Sequence, residues 1–331
     1  MPRKSKGTIV PTFSAKELLP STGSPVEEFS SESASRVVAK ISALDEIYLQ
    51  HPAHRRLFAQ FDYLRELGQA TNGPKRAMRL IGPSSAGKST AIEQYIKLDA
   101  RRREPNEGHI PILSVKLDKA CTTKRYVSSI LDRYGDEYSE SSVESTLRKR
   151  LYLCVERFRT ELIFVDEVQH LNFRASERSD PSDALKRMLD DGVVPLVFAG
   201  DETALPLMKS NIQLANRMIA PGDITRLDPK LLDDADTFRI FVKRLDLEMV
   251  GRAIIDRSSN LVDPRLLQCL FVVSGGLLGR VVNLVRAALE VSARRGAAFI
   301  EPHDFSMAVR GWAIPQAIVK YDPFSRGVVV E

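Results

Sequence analysis

The sequence predicts an α/β chain, a five-stranded parallel sheet with flanking helices followed by a small all-helical domain. Three observations carry this. Strand-like runs alternate with helical runs between Ala77 and Leu227, the pattern of βαβ units. The first strand-like run opens into G-x-x-x-x-G-K-[ST] at residues 82–89, and a helical pattern follows at once. After about Pro229 the strand signal stops and only helical periodicity remains.

Taken in order, residues 1–35 are rich in Ser, Pro, Thr and Glu and read as a flexible N-terminal tail. Apolar positions then recur at helical spacing: Val37, Val38, Ile41, Leu44, Ile47, Tyr48, then Leu57, Phe58, Phe61, Leu64. These predict helices that pack onto the sheet domain. The predicted strands are residues 77–81, 111–117, 162–165, 194–199 and 224–227, and right-handed crossovers then fix most of the topology. Residues 236–250, 264–274, 278–294 and 303–310 read as the helices of the second domain. The expected organisation is a tail (1–35), a sheet domain with N-terminal helices (36–229), a helical domain (230–312) and an extended C-terminal tail (313–331) containing Tyr321-Asp322-Pro323-Phe324. No internal repeat is present.

The glycine-rich motif has a direct chemical reading. Gly82, Pro83, Ser84, Ser85, Ala86 and Gly87 let the backbone turn sharply and bring its N–H groups to phosphate. Lys88, Ser89 and Thr90 open a helix whose N-terminus is an anion site. Lys88 would reach the β- and γ-phosphates of ATP, and the Ser89 hydroxyl would bind Mg²⁺. Downstream, Leu162-Ile163-Phe164-Val165 reads as a strand buried on both faces. It ends in Asp166 and Glu167, where ligands bind in open α/β sheets. Asp166 would hold the metal's hydration shell, and Glu167 would polarise an attacking water. Taken alone the acidic pair suits a solvated strand end equally well. Paired with the upstream motif it predicts an ATPase.

Composition narrows the setting. The 331 residues are 43% hydrophobic and 27% charged, with 48 Lys+Arg against 43 Asp+Glu. A charge of +5 and a pI near 9.0 are compatible with nucleic acid without demanding it. Cys121, Cys154 and Cys269 are far apart, which argues against a zinc site and for a reducing compartment. The five histidines lack ligand spacing. No apolar run has the length of a membrane span, and the basic start Met1-Pro2-Arg3-Lys4-Ser5-Lys6 lacks a signal peptide's apolar region. A cytoplasmic location is expected.

A phosphate-loop sheet followed by a helical lid resembles the AAA+ ATPases. The segment Asn211-Ile212-Gln213-Leu214-Ala215-Asn216-Arg217 resembles the Q-L-x-x-R element that carries an arginine finger in the initiator-like branch. Residues 275–284 resemble the sensor-2 segment, with Arg280 at its arginine. The resemblance implies that Arg280 touches the γ-phosphate of its own subunit. It implies that Arg217 reaches a neighbour's γ-phosphate in trans, an interaction worth about 10³–10⁵ in rate. Hydrolysis would then depend on assembly into a ring or helical filament. The chain departs from the pattern at the tip of the fourth strand. There the family places Asn, Thr or Ser as sensor 1, whereas the nearest polar residue here is Asp201, after Gly200.

Within that class, Asp166-Glu167-Val168-Gln169-His170-Leu171 and the Q-L-x-x-R element are similar to the transposition regulators TniB and TnsC, relatives of phage Mu B protein. The resemblance spans roughly residues 36–310. About 20 residues follow the lid, too few for an initiator's winged helix. It implies an ATP-dependent, sequence-nonspecific homo-oligomer on double-stranded DNA that recruits or activates a DDE transposase, with a targeting adaptor as a further partner. The first candidate DNA surface is Lys119, Thr122, Thr123, Lys124 and Arg125, and the second is Arg148, Lys149 and Arg150. Thr122 equally suits a helix N-cap, and residues 148–150 equally suit a solvated helix face. Arg101, Arg102 and Arg103 fit better as charges complementing a helix dipole. Two other readings stay open: a loader or remodelling ATPase with a protein client such as a helicase or clamp, and a nucleotide-gated scaffold that does not hydrolyse. No motif marks the adenine contacts, although residues 47–54 are placed for them ahead of the loop.

Overall fold

The computed structural model of the chain describes residues 31–104, 108–119, 121–137, 139, 143–171, 181–210 and 212–328. Most of the expected N-terminal tail, residues 1–30 with Arg3, Lys4 and Lys6, lies outside the described residues, as does Asn211. Residues 31–35, expected in that tail, are helical. They begin α1 (Ser31–Asp45), and α2 (Pro52–Ala70) follows with Pro52 in its first turn, where the missing N–H is not needed.

The α/β part then runs β1 (Ala77–Ile81), α3 (Lys88–Arg102), β2 (Ile112–Lys116), α4 (Thr123–Arg133), α5 (Glu144–Arg157), β3 (Leu162–Asp166), α6 (Pro181–Asp190), β4 (Leu196–Gly200), and the short α7 (Leu205–Ser210) and α8 (Ile212–Ala215). All strand pairs are parallel, in the order β1-β4-β3-β2. β3 and β4 occupy the centre, are buried along their whole length, and are accordingly apolar on both faces.

The fifth predicted strand is not a strand. Residues 217–224 run along the free edge of β1 instead. Ile219 N–H donates to Ala77 O at 2.8 Å, Gly222 N–H to Arg79 O at 2.9 Å and Ile224 N–H to Ile81 O at 2.9 Å. A regular ladder bonds every second residue. The step of three between Ile219 and Gly222 breaks it at Ala220-Pro221, where proline has no N–H to give.

Two apolar clusters cover the two faces of the sheet. One joins it to α4, α5 and α6. The other joins it to α2 and α3, around Phe61, Tyr95 and Phe164. A third cluster holds the helical domain: α9 (Leu232–Gly251), α10 (Pro264–Ser274), α11 (Leu278–Arg294), α12 (Pro302–Ala308) and α13 (Pro323–Arg326). Two sequence expectations change here. Leu44 of α1 and the following Leu49 belong to this third cluster, so α1 packs with the lid while α2 packs on the sheet. Asp45 adds an ion pair to Arg286 of α11 at 3.0 Å. The C-terminal segment is not an extended tail. Ala313, Ile318 and Phe324 pack into the lid, and buried Asp322 accepts from Ser306 Oγ at 2.5 Å and Arg310 Nε at 3.0 Å.

Among the described residues no single helix is long and apolar enough to cross a membrane. All three cysteines are free thiols. Phe61 is fully buried, with its ring centroid 4.9 Å from that of Phe164 and 5.0 Å from that of Tyr95, both edge-on. Phe61→Ala should lower unfolding free energy by about 3–5 kcal/mol, since it removes a ring that the close-packed sheet cannot collapse to replace. A urea titration measures this.

Candidate nucleotide-binding site

Parallel pairing carries the C-terminal ends of β1, β3 and β4 to one edge of the sheet. Ile81 lies opposite Gly200, and Lys116 of β2 lies opposite Asp166. The loop from Gly82 to Gly87 leaves that edge. Gly82 N–H donates to Gly200 O at 3.2 Å, and a Cβ at Gly82 would stand 2.4 Å from Ile224 O. Gly87 (φ +96°) and Ser85 (φ +64°) adopt the left-handed backbone that turns the loop into α3. Lys88 Nζ lies against the loop, donating to Gly82 O at 2.7 Å and Pro83 O at 3.0 Å. Burial pulls the Lys88 ammonium below the ordinary lysine range, and the nearby carboxylates of Asp166, Glu167, Asp201 and Glu202 oppose that shift.

Ser89 and Asp166 meet: Ser89 Oγ donates to Asp166 Oδ2 at 3.0 Å. A hydroxyl and a buried carboxylate at a phosphate loop are hard oxygen donors, the set that suits a magnesium ion retaining several waters. When bound, that ion would neutralise phosphate charge. Glu167 follows with φ +59°, its N–H donating to Asp166 Oδ1 at 2.9 Å. Its carboxylate accepts from Gln169 Nε2 and lies 3.5 Å from Lys116 Nζ. Asp201 caps the short turn after β4, accepting from Thr203 N–H at 2.9 Å.

The lid closes over the loop through glycine. A Cβ at Gly279 would lie 2.5 Å from Ser85 O. Arg280 comes next, with Nη1 3.5 Å from Ser274 O. Burial, and then the like charge of Arg226, lower its pKa. The convergence of Arg226 on Arg280 is one feature that sequence spacing did not suggest. Two cavities flank the loop–lid seam. One of about 340 Å³ is lined by Tyr48, His54, Gly87, Phe241, Leu278 and Val282 among others. One of about 440 Å³ includes His51, Arg56, Ile224, Asp236 and Leu277. Apolar walls with a few polar groups suit an adenine base. The region ahead of the loop, without a motif in sequence, supplies this wall.

His51 and His54 sit at its centre, buried, with ring centroids 3.9 Å apart. His54 Nε2 lies 3.2 Å from Gly87 O and its Nδ1 3.1 Å from Tyr48 Oη. Gly87 O can only accept, so His54 Nε2 donates and Nδ1 accepts. Burial holds His54 down at about 4. Burial, with the charges of His54 and Arg56, holds His51 at about 3.

The other predicted residues are spread out. Arg217 lies at the far end of β1, where its carbonyl accepts from Ala77 N–H, and its Nε donates to Asp190 Oδ1 at 2.7 Å. It is therefore remote from its own phosphate loop. Lys119, Thr122, Lys124 and Arg125 are exposed around the start of α4. Thr122 is that helix's N-cap, accepting from Arg125 N–H at 3.3 Å. Thr123 is buried, only 3% exposed, and so cannot form part of an exposed surface. Arg150 is paired with Asp136 at 2.5 Å, Arg148 is half-buried and Lys149 is exposed.

Two measurements test this geometry. Gly279→Ala should weaken ATP binding by about tenfold, the loss of about 1.4 kcal/mol as the lid is pushed off Ser85. Fluorescent-nucleotide titration reads it, beside an unchanged circular dichroism spectrum. Both histidines have folded pKa values below the ordinary 6.5. The unfolded chain therefore binds protons first as pH falls, and stability is full above 6.5 and declines below it towards 4. The Tm should drop across that window, and His54→Gln should flatten the drop.

The family model described as Bacterial TniB protein matches residues 42–221. No curated protein matches the chain. The fold is similar to the ORC1 protein of Aeropyrum pernix solved in complex with DNA, at 16% identity over 82% of this chain and 69% of that one, with a TM-score of 0.58. It is similar to CDC6P of Pyrobaculum aerophilum, at 12% identity over 82% and 70%, also with a TM-score of 0.58. It is also similar to Drosophila ORC bound to DNA, at 14% identity over 88% and 70%, with a TM-score of 0.51. The match takes in both the phosphate loop and the Asp166-Glu167 strand end, and the chain belongs to the TniB family.

Proposed function

We propose that this chain hydrolyses ATP as a homo-oligomer on duplex target DNA and there recruits or activates a DDE transposase. The observation that carries the reading is the meeting of Lys88, Ser89, Asp166 and Glu167 at one sheet edge in a TniB-family chain. The loop N–H groups and Lys88 hold the triphosphate. Ser89 and Asp166 hold the magnesium ion. Glu167 accepts a proton from the attacking water.

The place of Arg217 supports assembly-dependent turnover. It sits at the opposite end of β1 from its own loop, so it serves only a neighbour's nucleotide. Its salt bridge to Asp190 holds it until the neighbour docks. Lys119, Lys124 and Arg125 remain exposed cations at the start of α4 and supply salt-sensitive, sequence-independent contacts to phosphate.

Electron microscopy of the protein with duplex DNA and a non-hydrolysable ATP analogue tests the reading. Rings or filaments that need both ligands are expected. Assembly indifferent to DNA would instead favour a protein client. In binding assays, Lys124→Ala with Arg125→Ala should flatten the slope of log affinity against log salt by about 2, near 0.9 per lost contact. Glu167→Gln should reduce turnover at least about 10²-fold and leave assemblies locked on DNA.

A further inference from the structure

At the tip of β4, Gly200 has no side chain, and Oδ1 of the Asp201 carboxylate accepts from both the N–H and the hydroxyl of Thr203. A group from the neighbouring strand stands at this place. Gln169, in the turn Val168–His170 after β3, donates from Nε2 to Glu167 Oε2. Its Oε1 accepts from Asp201 N–H at 3.2 Å. One amide thus ties the end of β3 to the end of β4, with Glu167 on one side and the β4 tip on the other. Gly200 is what admits it: a Cβ there would lie 2.6 Å from Gln169 Oε1 and 2.9 Å from Val168 Cγ1.

Glu167 needs such a tie. Its backbone is in the left-handed region at φ +59°, uncommon for a residue with a side chain. Asp166 fixes its N–H at 2.9 Å, but the carboxylate itself is half-exposed. Its other neighbour, Lys116 Nζ at 3.5 Å, belongs to a side chain that is 72% exposed and holds it weakly. A carboxylate offers about four acceptor directions, so the bond from Gln169 leaves room for a water to donate.

We infer that Gln169 is the positioning residue for hydrolysis, holding Glu167 at the water site from β3 in place of a polar side chain on β4. The inference rests on the ATP-hydrolysing reading. In the reaction, the water oxygen bonds to the γ-phosphorus. The bond from that phosphorus to the β,γ-bridging oxygen breaks, and its electron pair leaves with ADP. The water's proton passes to Glu167 and on to the phosphate product. The side-chain amide carries both the donor that Glu167 takes and the acceptor that the Asp201 N–H needs.

Steady-state ATP turnover of the full chain on duplex DNA tests this, with Gln169→Ala, the isosteric Gln169→Glu and Glu167→Gln beside wild type. Gln169→Ala should lower kcat by about 10- to 100-fold, the scale of a misplaced catalytic group, with KM for ATP within about threefold. Gln169→Glu removes the amide donor to Glu167 and sets a second carboxylate beside it, so its kcat should fall at least as far as that of Gln169→Ala. A Gln169→Ala kcat equal to or above wild type would overturn the inference. So would a Gln169→Glu kcat equal to that of wild type. Loss of turnover in Glu167→Gln alone would sink the clamp and leave the ATPase reading standing. Wild-type turnover no greater than that of Glu167→Gln would remove both.

Discussion

Strand register is the constraint on which the site depends. Ser89 hangs from the end of β1 and Asp166 from the end of β3, and two parallel pairings through β4 set their separation. A slip of one residue would turn every side chain to the opposite face. It would bury the carboxylate in apolar packing and break the bond to Ser89. The unbroken apolar runs Leu162-Ile163-Phe164-Val165 and Leu196-Val197-Phe198-Ala199 are buried on both faces, which places the strands in the centre without setting their phase. Phase comes from the loops, chiefly from Gly82 against Gly200 and Ile224.

Around that edge the charge is unbalanced. Asp166, Glu167, Asp201 and Glu202 all act on one half-buried Lys88. A bare triphosphate brought here would meet net repulsion at short range, where screening by salt is weak. The loop N–H groups and a divalent cation would restore the balance. Asp201 also caps its own backbone, accepting from Thr203 N–H.

The motifs with fixed chemistry were legible in the sequence, because phosphate binding leaves little freedom in residue type or spacing. Lys88, Ser89, Asp166 and Glu167 lie together at one sheet edge. What stayed hidden has a common physical cause, a dependence on long-range packing. Helical periodicity in α1 says that one face is buried but not against which partner, and the partner is the lid. Thr123 lies in a polar run yet faces inward, since the helix turns it about 100° from its exposed neighbour Lys124. The edge segment at residues 217–224 has strand-like bonds without strand spacing, owing to one proline. Gln169 has no role of its own in the Asp166–Leu171 segment as a sequence and gains meaning only from Asp201, 32 positions on.

The packing of α1 with the lid has a mechanical consequence. The helical body is joined to the sheet body by two backbone crossings, one between α1 and α2 and one between the β1 edge segment and α9. Residues of both crossings, His51 and Leu227 among them, line the same cavity beside the phosphate loop. A plate pinned at two points can swing only about the line that joins them. The lid is therefore a door on two hinges rather than a flag on one, and its axis runs past the cavity beside the phosphate loop.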